Sequence, residues 1–359
     1  MSAENPFELE DFRPVISGTG LIALDLVLPN EPHSLPQLWA GGTCGNVLTA
    51  LAYLGWDAYP IARLRADAAS RQILQDLGRW RVRADFLELT ETGSTPVIVQ
   101  HIHCSPGRGK THSFSRRCPF CGAMLPWYKP LRIVDSARIV PQLPPAATFF
   151  FDRVSPGAIR LARHAAESGS LVVFEPSASS DSHRLDDALS VAHVVKYSID
   201  RLEGLGDLRR GEGPRLIIET RGGEGLRFLS RPDEEGEEWQ VSEPFPASRV
   251  IDTSGCGDWC TAGIIHMLGR HGAERFLEAT PGRIREAIRF GQALASWNCG
   301  FEGARGGMYR SDKEHTIEYV RSLLSGEPSQ PDLVEISLVD SEAAGEYACA
   351  SCGERSVLP

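Results

Sequence analysis

The sequence predicts an α/β fold built on a parallel sheet covered on both faces, and three observations carry that prediction. Short runs rich in apolar residues recur at Thr148–Phe151, Leu171–Phe174, Val191–Lys196 and Leu216–Glu219. Strands buried on both faces of a parallel sheet read this way. Helical spacing of apolar residues fills the gaps between such runs, and strand–helix alternation over this length implies βαβ connectivity. Polar residues follow the runs at once: Asp152-Arg153, Glu175 and Thr220-Arg221-Gly222, with Lys196 closing its own run.

Taken in order, Val15–Leu28 reads as a buried strand, a Gly-rich break and a second apolar run. Asn46–Leu54 sets Val47, Leu48, Leu51 and Leu54 at helical spacing and stops at Gly55, a residue type that readily ends helices. A helix is expected over Ala68–Trp80 and a strand over Thr95–Ile102. His103–Lys129 has no periodicity and carries Pro, Gly, basic residues and a CxxC, so it reads as an inserted loop. A helix follows over Gly157–Ser168, and Arg231–Glu238 is a polar, acidic surface hairpin or loop. Ile284–Trp297 is an amphipathic helix, and the tail from about Gly326 holds a strand-like VEISLV before a second CxxC.

The 359 residues carry 42% hydrophobic and 23% charged residues, the balance of a globular chain with ample core. A net charge of -10 argues against a long polyanion as the main partner, because nucleic-acid binding is driven by phosphate neutralisation. The basic stretch RGKTHSFSRR leaves only a local patch. The start, MSAENPFELEDF, lacks a basic-then-apolar leader, and no apolar run is long enough to span a bilayer. A cytoplasmic protein with no membrane contact is expected.

In open α/β sheets, ligands bind beyond the carboxyl ends of the strands. That brings Asp152-Arg153, Glu175, Lys196, Thr220-Arg221-Gly222 and Asp252–Asp258 towards one crevice. The most heavily furnished of these segments is RVIDTSGCGDWCTAG at Arg249–Gly263. Gly255 and Gly257 leave backbone amides open to an anion, and a helix N-terminus adds unpaired N–H groups and partial positive charge. Such a turn stabilises charge during phosphoryl transfer, while Asp258 in the first helical turn accepts a hydroxyl proton. On the turn alone, a Gly-rich connection with an aspartate cap is the commoner explanation.

The rest of the chain shifts that balance. DTSGCGDWCTAG closely resembles the DTxGAGD signature of the PfkB, or ribokinase-like, carbohydrate kinases, and further landmarks occur in the family's order. GTGLIALDL resembles its first strand and substrate-binding aspartate, here Asp25. GGTCGNVLTALAYLG resembles the GGxxxNxA segment, giving Gly41, Gly42 and Asn46. TRGGEGL resembles a nucleotide-side turn, giving Thr220, Gly222 and Gly225, and NCGFEGARGG resembles the segment near the adenine. The resemblance covers roughly residues 15–325.

It implies a three-layer αβα sandwich with a small β lid. It implies an ATP-dependent kinase acting on a hydroxyl of a sugar or related polyhydroxy compound, with Mg²⁺ accompanying the nucleotide. Asp25, Gly41, Gly42 and Asn46 then hold the substrate. Asp258 is the base, and the Gly255, Cys256 and Gly257 amides form the anion hole. Lys196, Thr220, Gly222, Gly225, Asp252 and Thr253 lie on the cofactor side. Homodimers closed through the lid occur in the family. Two alternatives stand beside this reading: a nucleoside kinase, and a non-catalytic ligand sensor whose zinc-bound tail binds a partner.

There are departures. EPSAS at Glu175–Ser179 stands where the family has DPNxR, and Ser198 and Arg201 stand where its metal-handling NxxE is expected. Glu175 is therefore the candidate to supply the missing carboxylate to magnesium. Cys256 replaces the usual alanine, and packing is its expected role. Asp152-Arg153 reads equally as a contact for an anionic substrate group and as an internal ion pair.

Nine cysteines without a leader argue against a disulfide framework. Cys44, Cys104, Cys256, Cys260 and Cys299 are scattered, most of them expected in the core. Cys118/Cys121 and Cys349/Cys352 are CxxC pairs, each followed by glycine, a spacing that points two thiolates at one tetrahedral ion. Structural Zn²⁺ held by all four would form a zinc-ribbon element joining the insertion to the tail. Redox dithiols and half-sites completed by a second subunit are the alternatives, with His101, His103 and Cys104 as further ligands. The expected organisation is a kinase domain over 1–330, with the lid-region insertion at about 103–130, and a tail over 331–359.

Overall fold

The computed structural model describes residues 12–28, 37–105, 109–177, 182–202, 213–231, 238–247, 249–326, 346–349 and 353–356. In chain order the strands and helices are β1 (Val15–Thr19), β2 (Ala23–Leu28), β3 (Gln37–Gly41), α1 (Thr43–Tyr53), β4 (Asp57–Leu64), α2 (Ala68–Arg79), β5 (Leu87–Leu89), β6 (Val97–Ser105) and β7 (Gly109–Ser115). Then come α3 (Ile133–Ile139), β8 (Thr148–Phe151), α4 (Pro156–Glu167), β9 (Leu171–Phe174), α5 (Ser182–Val191), β10 (Val194–Ser198), β11 (Leu216–Thr220), β12 (Leu226–Ser230) and β13 (Gln240–Ser242). The chain continues through α6 (Cys256–Leu268), α7 (Gly272–Leu277), α8 (Pro281–Asn298), α9 (Gly306–Arg310), α10 (Lys313–Ser325), β14 (Glu346–Cys349) and β15 (Gly353–Ser356).

The main sheet has nine strands in the order β13-β12-β11-β10-β9-β8-β1-β4-β5. From β11 to β5 all neighbours pair in parallel. Strand alternation divides its buried side chains between two cores. Phe150, Val173 and Ile218 face one core, with Leu48 and Leu51 of α1, Ile265 of α6 and Ile288 of α8. Phe149, Phe151, Val172 and Ile217 face the other, with Leu161 of α4 and Leu189 of α5. The predicted three-layer sandwich is present.

The lid is a separate four-stranded sheet, β3-β2-β6-β7. Pairing of Ala23 with Gly41, and of Asp25 with Trp39 and Ile98, sets Asp25 in the middle of that sheet.

Three features differ from the sequence-based expectations. The main sheet is mixed, because β12 and β13 add antiparallel edge strands after the glycine turn at 222–225. The segment read as a loop from His103 is instead partly β: β6 runs through Ser105 and pairs with β7. The polar stretch GKTHSFS at the edge of the lid leaves no apolar alternation to reveal it. Third, α3, α5, α7, α9 and α10 were not singled out, being short or capped by local signals such as the Asp312 side chain on the His315 amide. Most of the Arg231–Glu238 segment, the VEISLV stretch and the 330/331 boundary lie outside the described residues.

Candidate active site

The turn before α6 is built around Gly255, whose φ of 69° is left-handed. A Cβ there would also sit 2.2 Å from the Ala304 carbonyl oxygen, so glycine is required twice over. At Gly257 the place of a Cβ meets only Lys196 Nζ, at 3.7 Å, which leaves open space before the turn. The Cys256 amide turns back to the Thr253 carbonyl at 3.3 Å. The amides of Gly255, Gly257 and Asp258 make no hydrogen bond to another described residue. This is the donor set of an anion site at a helix N-terminus.

Asp258 occupies the first turn of α6. Its Oδ2 accepts from Asn46 Nδ2 at 2.7 Å, joining α6 to α1 across 212 residues of sequence. Crowding by protein strips water from its carboxyl and raises its pKa to about 7. The Glu175 charge pushes the same way, opposed by the Asn46 hydrogen bond and the charges of Lys196 and Arg201.

The expected substrate side assembles around the same point. Gly42 caps α1 with φ of 79°, and a Cβ there would strike the Leu21 carbonyl at 2.4 Å. At Gly41 a Cβ would fall 2.0 Å from Asp25 Oδ2, so this glycine makes room for the Asp25 carboxylate. Burial raises Asp25 to about 7, with the Arg305 charge lowering it and Asp76 raising it. Asp25 Oδ1 and Asn46 Oδ1 are both buried acceptors without a hydrogen-bond partner. Two orphaned acceptors are costly unless a donor-bearing ligand satisfies them.

Lys196, at the middle of β10, is 2% exposed, and its ammonium donates to Glu175 Oε1 at 2.8 Å. The other Glu175 oxygen accepts from Thr261 Oγ1 at 2.6 Å. Burial pushes the Lys196 pKa down, but the Glu175 charge and hydrogen bond, with Cys260 and Asp258, together outweigh it, and the pKa is raised. Each oxygen of Glu175, the candidate to serve magnesium directly or through water, thus accepts one hydrogen bond from the protein. Ser198 ends β10, and Arg201 lies near enough for its charge to act on Asp258.

On the expected cofactor side, Thr220 ends β11 and donates to the Tyr197 carbonyl at 3.2 Å. Gly222 opens a short 3-10 turn with space around it, and Gly225 closes that turn against the Ser242 carbonyl. Thr253 is exposed beside the α6 turn. Asp252 is different: its Oδ1 caps Ser254 N, while Oδ2 accepts from Gln100 of the lid and from Gly303 N. Its carboxylate ties lid to turn. Asp152-Arg153 resolves as the internal ion pair, with Arg153 Nη1 2.6 Å from Asp152 Oδ2 and Leu21 N on Oδ1.

Sequence reasoning missed a second buried network. Arg305 Nη2 meets Asp76 Oδ2 at 2.7 Å and also the Ala40 carbonyl, while Tyr309 donates to the same carboxylate. These partners lie 229 residues or more apart in sequence, and no local pattern announces them. It also missed that Cys256 faces Cys299, with 2.8 Å between the sulfurs. Cys44 and Cys260 are core residues as expected. Cys104 and His103 side chains, and Cys352, lie outside the described positions.

The long-range cysteine expectation is met for the residues described. Cys118, Cys121 and Cys349 place their sulfurs within 4.8 Å of one another, with Cys121 and Cys349 3.6 Å apart. Gly122, at φ of 73°, folds the first knuckle so that its amide reaches the Cys118 carbonyl. No described helix is long and apolar enough to cross a membrane.

Residues 145–309 match the model of the pfkB family carbohydrate kinases. Over 278 residues the chain is 27% identical to a fructokinase from Klebsiella pneumoniae, an alignment covering 68% of this chain and 82% of that protein. Its fold is similar to that of a fructokinase with bound ATP from Xylella fastidiosa, with a TM-score of 0.65 and 19% identity over 88% of this chain and 99% of that one. A ribokinase from Arabidopsis thaliana complexed with ribose and ATP gives a TM-score of 0.61 at 17% identity, over 86% and 99% of the two chains.

Proposed function

The chain belongs to the pfkB family of carbohydrate kinases, and on that premise we propose that it transfers the γ-phosphoryl group of ATP to a hydroxyl of a sugar. The observation that carries the reading is the 2.7 Å hydrogen bond from Asn46 to Asp258. It places the sugar-side helix and the anion-binding turn at one carboxylate. Hydroxyl groups supply the donors that Asp25 Oδ1 and Asn46 Oδ1 lack.

In this reading Asp258 takes the proton as the sugar oxygen attacks phosphorus, and ADP leaves. The free amides at Gly255 and Gly257 and the Lys196 ammonium stabilise the charge on the transferring group. Glu175 and Thr261 keep Lys196 charged and aimed at the turn. The turn at Thr220–Gly225 borders the nucleotide. Magnesium, when bound, would offset charge between the phosphates, and Glu175 would serve it directly or through water.

The non-catalytic sensor reading is not favoured, because the family match and the fructokinase relative both point to a kinase. The testing experiment is an ATP-consumption screen over ketoses, aldoses and nucleosides with the Asp258→Asn protein as blank. Turnover on a sugar that vanishes in the variant supports the reading; equal rates in the two proteins reject the base.

Cys118, Cys121 and Cys349, with Cys352 as fourth ligand, form a structural zinc site in our reading, fastening the C-terminal hairpin to the lid-side insertion. The same insertion exposes Phe114, Phe120 and Met124, an apolar surface suited to a lid-mediated homodimer, which sedimentation tests. The acidic chain and the soluble chemistry of its substrates fit a cytoplasmic location.

A further inference from the structure

Cys256 and Cys299 come from opposite ends of two packed helices. Cys256 is the first residue of α6 and the centre of the glycine turn, and Cys299 caps the C-terminus of α8. Their sulfurs are 2.8 Å apart, inside the roughly 3.5–4.0 Å at which even carbon atoms rest. Both residues are half-buried, so small solutes reach them.

The scaffold holds this pair in place. The two helices cross backbone to backbone at Gly263 and Gly291, where a Cβ on Gly263 would lie 2.6 Å from the Gly291 Cα. Beyond the crossing, Asn298 Nδ2 bonds the Ser254 and Ala304 carbonyls, and the Cys299 carbonyl accepts from Ile251 and Asp252. The segments on either side of the thiols are therefore fixed to each other by four separate contacts or bonds.

We propose that Cys256 and Cys299 are a modification site, a dithiol that hydroperoxides convert to a disulfide and that external dithiols restore. The Cys299 thiolate attacks one peroxide oxygen, the O–O bond breaks to give a sulfenic acid, and the departing hydroxide takes up the proton Cys299 released and leaves as water. The Cys256 sulfur then attacks the sulfenic sulfur, the S–S bond forms, and hydroxide leaves as water with the Cys256 proton. Two thiols lose two electrons and two protons, and one hydrogen peroxide becomes two waters. Cys299 is the first attacker because the hydrogen bond it shares with Cys256 lowers its pKa.

The bond would draw the sulfurs roughly 0.8 Å closer, to about 2.0 Å. That displacement falls on the turn whose amides meet the phosphoryl oxygens, where about 1 Å of misplacement costs on the order of 10²-fold in rate. The effect on turnover rests on the kinase reading; formation of the bond does not.

The test treats the full-length protein with hydrogen peroxide and reads two signals. Peptide mass analysis should show Cys256 linked to Cys299 with the loss of two hydrogens, and sugar-dependent turnover should fall at least tenfold and return with dithiothreitol. Cys299→Ser should hold its own untreated turnover after peroxide. Absence of the cross-link overturns the proposal, as does a cross-linked protein with full turnover or a Cys299→Ser protein inhibited as strongly as the parent. A reduced protein with no turnover on any sugar rejects the kinase reading instead, and the cross-link still decides the thiol chemistry.

Discussion

Asn46 and Asp258 share a hydrogen bond of 2.7 Å although they stand on different helices, at the lid-side and nucleotide-side ends of the sequence motifs. The bond restrains the carboxylate and leaves Asn46 Oδ1 for a ligand donor. Asp258→Asn should lower kcat by about 10²–10⁴-fold with sugar affinity retained, the range a general base contributes. Asn46→Leu should weaken sugar binding and also slow turnover, since both halves of its amide are used. Steady-state kinetics separates the two: a KM effect alone in Asp258→Asn would contradict the assignment.

The pH profile gives an independent check. Asp258 must be ionised to accept a proton, and its pKa stands at about 7, so kcat/KM should fall as pH drops through that value. Arg201 lowers this pKa and Glu175 raises it. Arg201→Gln should therefore move the acid limb to higher pH, and Glu175→Gln should move it lower. Shifts in the opposite directions would show that another group titrates.

Stability should run against activity. Burial raises the folded-state pKa values of Asp25 and Asp258 to about 7, from an ordinary value of 3.8. Each raised value contributes stability in full below about 3.8 that is lost as pH climbs through 7. Asp25→Asn should melt above the parent at pH 8, with the gap closing towards pH 5.5, while sugar phosphorylation is lost. A gap that widens on acidification would exclude a raised Asp25. Such trade-offs belong to sites built for a ligand.

The two motif turns were legible because each glycine answers a local demand: Gly42 and Gly255 need a left-handed backbone beside a carbonyl, and Gly41 needs room for Asp25. The sandwich was legible for a similar reason, since TFFF and LVVF suit only strands covered on both sides. What the sequence hid is long-range charge pairing. Nothing near Glu175 in sequence announces Lys196 and Thr261, which hydrogen-bond its two oxygens. Nothing near Asp252 announces Gln100, which reaches its carboxylate from the lid. Motif position names the neighbourhood of a carboxylate but not which hydrogen bonds reach it first.

Metal content tests the cysteine cluster. Purified protein should carry one zinc per chain, and Cys118→Ser or Cys349→Ser should release it and lower the melting temperature. A strong chelator should free thiols that react with a thiol reagent in step with zinc loss. Metal-free protein whose four CxxC thiols titrate freely as isolated would reject the site.

The Lys196–Glu175 pair offers the sharpest division between structural and chemical roles. Both side chains are almost wholly buried, with side-chain exposures of 3% and 11%. Removing one member of such a pair leaves an uncompensated charge, at a cost of about 3–5 kcal/mol. Lys196→Met should therefore destabilise the fold and also slow phosphoryl transfer, since the ammonium stands beside Gly257. Glu175→Gln removes charge but can keep hydrogen bonds to Lys196 and Thr261, so its stability loss should be smaller. Because Glu175 would also serve magnesium, this variant should need more magnesium than the parent while its kcat falls. An unchanged magnesium dependence in Glu175→Gln would remove Glu175 from the metal.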